Sequence, residues 1–162
     1  MQQAHISIAE QVRFVPVNFD TGNLADKLSD AGFGPAKKTL FVWEGVTYYL
    51  RADVVKAMLA FVTTHSPAGS SICFDYAALS DQTLNDNGTQ ALRQLMRARY
   101  ANEPTKFGLP VGEIESFLAD QNLHIIEHLT AAEMTEKYLP RDTHLAVGKI
   151  PALFCLVHAL VK

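Results

Sequence analysis

Four apolar side chains in succession, Leu40 to Trp43, run straight into Glu44 and Gly45. A strand with one solvated face alternates apolar and polar residues, so a run that is apolar at every position belongs to a sheet covered on both faces, the habit of buried parallel strands. Such a strand demands helices around it, and the flanking sequence provides them. Between Ala52 and Thr64, Val54, Val55, Met58, Leu59 and Val62 recur at helical spacing. Leu24, Leu28 and Ala31 do the same after Asp20 or Thr21, either of which would serve as N-cap.

Further strands are expected at "SSICFDY", ending in Asp75, at "LHIIEHL" and at "ALFCLVHALV". "VRFVPVNF", Val12 to Phe19, has the same look, with Pro16 pointing to an edge position or a bulge. Helices are expected at Ala91 to Tyr100 and, from Val111, Ile114, Phe117 and Leu118, in "VGEIESFLADQ", whereas "SDQTLNDNGT" is turn-rich. The last two strands are separated by a short helical piece and a loop from Ala131 to Pro151, too long a connection for a simple hairpin. Strand and helix thus alternate along 162 residues, which argues for one α/β layered domain with a largely parallel sheet.

Composition narrows the function. With 48% apolar and 19% charged residues the chain is of ordinary globular type, and a net charge of −3 gives no electrostatic reason to expect nucleic acid or an anionic membrane as partner. Cys73 and Cys155 form no CxxC pair, which speaks against a disulfide framework or zinc site and suits a reducing cytoplasm. The stretch "MQQAHISIAEQVRF" lacks a basic start followed by an apolar core, and no apolar run reaches the ~18 residues of a membrane span, so neither export nor membrane insertion is expected. His124 and His128, four apart in an expected strand, would share a face as satisfied histidines rather than as metal ligands. "RQLMRARY", Arg93 to Tyr100, is expected to be a solvated helix face, and neither cysteine has an evident histidine and carboxylate partner for nucleophilic catalysis.

Ligands of open α/β sheets bind beyond the carboxyl ends of the strands. Three expected strands end there in polar groups: Asn18 after "RFVPV", Glu44 after "LFVW" and Asp75 after "ICF". Gly45 would let a backbone or ligand come close to Glu44, so the three are expected to share a cleft.

These segments resemble the leucine carboxyl methyltransferase family of S-adenosylmethionine-dependent O-methyltransferases. That family's "PVDL" or "PVDF", "AGFDP" and "EGLLMYL" correspond to "PVNF" at Pro16 to Phe19, "AGFGP" at Ala31 to Pro35 and "EGVTYYL" at Glu44 to Leu50. "PAGSSICFDY" and "FGLPVGEIESFLADQNLHIIEHL" are similar to its later strand, its helix and the strand that follows. The resemblance implies a Rossmann-like α/β fold, S-adenosylmethionine as cofactor and a small-molecule methyl acceptor. It further implies that Glu44, with Gly45, contacts the amino-acid part of the cofactor by a charge-assisted hydrogen bond to its ammonium group. Asn18 and Phe19 would hold the adenine, with the Asn18 amide oxygen accepting from the adenine amino group where the family has an aspartate. Tyr49 and Asp75 would line the acceptor pocket.

The resemblance also implies what is not in this sequence: a Gly-rich loop after a first strand, an acidic ribose-binding residue after a second, and basic residues that clamp the cofactor carboxylate. "GFGPAKK" precedes a strand instead of linking strand to helix, so it is expected to be a turn. The expectation is an incomplete methyltransferase fold without its first two strands, a carboxyl-terminal part that alone binds cofactor weakly or not at all. Its open sheet edges would lead to self-association or to pairing with a missing amino-terminal half. The chemistry implied is in-line transfer of a methyl group to oxygen. A carboxylate acceptor needs only positioning and desolvation, whereas a hydroxyl needs a base, for which Glu44, Asp75 or a histidine are all open. A non-catalytic half-domain and an α/β domain for another nucleotide are the competing readings.

Overall fold

A computed structural model describes residues 9–19, 22–99, 104–139 and 150–162. Contacts divide the chain into two compact units, Met1–Gly34 and Pro35–Lys162.

In the first unit, helix α1 (Leu24–Asp30) is capped by Asn23, whose side chain accepts from the backbone N–H of Ala25 at 3.0 Å and of Asp26 at 3.3 Å. The cap is thus Asn23; Asp20 and Thr21 lie outside the described residues. Phe33 N–H donates to the Leu28 carbonyl and Gly32 N–H to that of Ser29, both at 2.9 Å, with Gly32 at φ 94°. This paired closure is how a left-handed glycine ends a helix, and it makes the start of "GFGPAKK" a turn as expected. Val12 to Phe19, in contrast, forms no strand. Pro16 has no N–H to give, and Val12, Phe14 and Phe19 are exposed, so neither a ladder nor burial stabilises an extended pairing there.

The second unit is built on a sheet of strands β1 (Leu40–Trp43), β2 (Ser71–Leu79), β3 (Leu109–Pro110), β4 (Leu123–Thr130) and β5 (Phe154–Val161). The spatial order is β1-β2-β5-β4, with β3 joined to the far end of β2. β1 and β3 run parallel to β2, while β5 is antiparallel to both β2 and β4. The sheet is therefore mixed: β1 to β4 share one direction and β5 is reversed between β2 and β4, in an α/β Rossmann-like fold. The helices are α2 (Ala52–Thr64), α3 (Asp81–Asn85), α4 (Asn87–Arg99), α5 (Ile114–Ala119) and α6 (Ala131–Tyr138). None of the described helices is long and apolar enough to cross a membrane.

The core lies on one face. Ile72, Phe74 and Tyr76 of β2 stand opposite Ala159, Val157 and Cys155 of β5, and all are buried. α2 contributes Val55, Leu59 and Val62 to the core and sets Phe61 edge-on to Phe41 at 6.3 Å.

Four local expectations are corrected. β1 is not covered on both faces: Leu40 and Val42, two apart and so on the same face, are 60% and 68% exposed. β2 does not stop at Asp75 but continues to Leu79, because β5 goes on pairing with it after β1 has ended. "SDQTLNDNGT" is not a loop but holds α3 and the start of α4. Ser80 and Thr83 form a reciprocal capping box, and the Asp86 carboxylate accepts from Thr89 N–H at 3.0 Å. His124 and His128 fall on opposite faces, since β4 shifts register between Ile125 and Glu127 and the extra residue reverses the alternation.

This uneven burial predicts uneven sensitivity. Leu59→Ala should lower unfolding free energy by about 2–5 kcal/mol in urea titrations, whereas Val42→Ser should stay within about 0.5 kcal/mol.

Candidate functional site

The ladder between β1 and β2 ends at the pair Trp43 and Phe74. The next residues on the two strands are Glu44 and Asp75, so both carboxylates stand at the carboxyl end of β1. Beyond Trp43 the backbone leaves the sheet through Gly45, at φ 69°, and enters a short 3-10 turn, Thr47–Tyr49. That left-handed value is one an L side chain rarely adopts.

Asp75 fastens this exit. Its Oδ1 accepts from Gly45 N–H at 2.9 Å, and its backbone carbonyl accepts from the hydroxyl of the fully buried Thr47. The Tyr48 carbonyl accepts from the N–H groups of Lys106 at 2.7 Å and Phe107 at 3.3 Å, tying the turn to the segment that leads into β3. The Tyr48 ring lies 4.8 Å from that of Tyr49 and 5.6 Å from that of Phe154.

Glu44 itself is exposed and Asp75 half-buried. Burial raises the Asp75 carboxyl above its usual range, and the nearby Glu44 adds to the rise, against the lowering by the Gly45 N–H. Burial, followed by the Asp75 charge, pushes the Tyr48 hydroxyl up to about 12, so it stays protonated at neutral pH. The outcome is a small patch of negative potential, one carboxylate outward and one behind it, suited to a cationic group.

Of the expected residues, the structure brings together Glu44, Gly45 and Asp75, with Tyr49 half-buried in the adjoining turn. Asn18 and Phe19 belong to the first unit, where the Asn18 carbonyl accepts from Gly22 N–H at 2.7 Å. Sequence reasoning missed Tyr48, although it stands beside Tyr49 in the same motif: which tyrosine meets Asp75 depends on the phase of the 3-10 turn.

Residues 1–63, which include the Glu44 motif, match the family model "Leucine carboxyl methyltransferase". Over these residues the chain is similar to that family. It is 30% identical over 138 residues to YktD of Bacillus subtilis, which is named provisionally as an S-adenosyl-L-methionine-dependent methyltransferase, covering 85% of this chain and 45% of YktD. A Parafrankia protein of the same provisional description is 39% identical over 57 residues, 35% of this chain and 18% of that protein. The solved structure of a duf574 family protein from Streptomyces avermitilis is similar in fold, with a TM-score of 0.53 at 14% identity over 85% of this chain and 49% of that one. The chain thus spans less than half the length of these relatives.

The raised Asp75 carboxyl has a consequence for stability. Above its unfolded value near 3.8, the folded state holds this proton more tightly than the unfolded state does. The stabilisation it provides is complete below that pH and is lost as pH rises through the folded value. Asp75→Asn should therefore gain on the wild type between about pH 3.5 and about pH 7, measured by urea unfolding at both ends of the window.

Proposed function

We propose that the chain is part of an S-adenosylmethionine-dependent O-methyltransferase that acts on a carboxylate or hydroxyl of a small molecule. The observation that carries this reading is the exposed Glu44 carboxylate at the carboxyl end of β1, followed by a glycine at positive φ, within the residues that match the leucine carboxyl methyltransferase model. The residues present fit the amino-acid end of such a cofactor. Glu44 accepts from its ammonium group, and Gly45 offers no side chain to obstruct the approach.

The cofactor, when bound, supplies a methyl group on a positively charged sulfur. The protein's own part is to orient and desolvate. Glu44 fixes one end of the cofactor, Tyr49 lines the acceptor pocket, and the negative charge of the site holds the cationic ligand. An ionised carboxylate acceptor needs no base from the protein.

Thermal unfolding with and without S-adenosylhomocysteine tests the reading, since a ligand that binds only the native state raises its stability. A rise in Tm is expected at millimolar ligand, weak for a chain spanning 45% of YktD. Glu44→Ala should weaken binding about tenfold, the scale of one charge-assisted hydrogen bond. No shift in the wild type, together with stabilisation by another adenine nucleotide, would replace this reading with a general nucleotide-binding domain.

A second reading, in which the site is completed by another chain, is favoured by β1. Its sequence suits a covered strand, yet it stands at the sheet edge with Leu40 and Val42 exposed and carries no lysine, proline or bulge to discourage pairing. Sedimentation velocity separates the two readings. A monomer that binds S-adenosylhomocysteine supports the first, and an associated species dispersed by Val42→Lys supports the second.

A further inference from the structure

We propose that Asp75 is a positioning residue, which holds the Glu44–Gly45 turn in its binding shape through the Gly45 amide and does not itself meet the substrate. This deepens the methyltransferase reading and rests on it for its functional consequence.

The argument starts at the point where β1 ends. Once the ladder stops at Trp43 and Phe74, the Gly45 N–H has lost its strand partner, and a backbone donor withdrawn from water and left unpaired is destabilising. Asp75 is the first residue of β2 past that point, and its Oδ1 takes the Gly45 N–H at 2.9 Å. Its main chain is engaged as well, because its carbonyl accepts from Thr47 Oγ1, a side chain with no exposed surface. One residue of β2 therefore grips the turn at two points, two residues apart. A third tie, from Lys106 and Phe107 to the Tyr48 carbonyl, closes the other end. Glu44, immediately before the first tie, is the residue whose direction these bonds settle.

The charged and titratable groups facing Asp75 are Glu44, Tyr48 and Cys73. None is a cation, so among the described residues the carboxylate has no ion-pair partner there. What the geometry uses is an acceptor oxygen. An asparagine has one in the same place, whereas it has no proton-accepting carboxylate, so the conservative change separates holding from chemistry.

The test compares the wild type with Asp75→Asn and Asp75→Ala by two measurements on the full chain: hydrogen exchange of the Gly45 amide by NMR, and titration with S-adenosylhomocysteine. Asp75→Ala is expected to speed Gly45 exchange and to weaken ligand binding, each about tenfold, the scale of one hydrogen bond to a charged group. Asp75→Asn is expected to stay within about threefold of wild type in both. If the alanine variant does not fold, Asp75→Leu removes the acceptor while keeping side-chain volume. Unchanged Gly45 exchange in the alanine or leucine variant would overturn the proposal, as would an asparagine variant as impaired as alanine. If the wild type binds no S-adenosylhomocysteine, the cofactor reading fails, and the exchange data still decide whether Asp75 holds the turn.

Discussion

The second unit depends on the pairing of strand β2. It carries β1 along its first half, β5 along most of its length and β3 at its far end. Because successive side chains point to opposite faces, one strand does two jobs at once. Ile72, Phe74 and Tyr76 go into the core, and the residues between them face the other way. Asp75 lies among the latter, one step beyond the last pair with β1, so the length of a four-residue neighbour decides where a carboxylate becomes available to Gly45. The site is thus a consequence of the ladder's end and not of a dedicated loop.

The interior shows how polar groups are accommodated in such a sheet. Tyr76 is almost fully buried, and its hydroxyl meets His128 Nε2 at 3.1 Å, with the rings stacked at 6.0 Å. That contact exists because the bulge in β4 turns His128 to the buried face and leaves His124 on the other. At the opposite edge the same economy applies to Thr47 and the Asp75 carbonyl. A buried donor left alone would cost more than the bond contributes when made, so each pairing matters chiefly through the penalty it avoids.

Much of this was legible beforehand where the pattern is local. The stripe of Val54, Val55, Leu59 and Val62 marks α2, found at Ala52–Thr64, and unbroken apolar runs mark β1, β2 and β5. The Glu44 motif pointed to the family that the match over residues 1–63 supports. The failures have physical causes. Glycine and asparagine hid α3 and the first turn of α4, whose remainder was expected from Ala91 on, although Ser80 with Thr83 and Asp86 with Thr89 form capping pairs that a search for caps, instead of turn composition, would have found. Val12 to Phe19 has the side chains of a strand, but a strand is a property of two segments, and none of the described strands pairs with it.

By itself the sequence determined the class of elements, the α/β layering and the chemical identity of the groups at the end of β1, since periodicity and residue type are local properties carried by the chain. Tertiary structure alone decided which strands are neighbours, that β5 runs against β2 and β4, that β1 is an edge, and that the Asp75 carboxylate closes on Gly45. Those outcomes depend on register and on distances between residues about thirty positions apart. A shift of one residue would turn Asp75 inward and Phe74 outward, and only the summed burial of the whole sheet is large enough to select between the two arrangements.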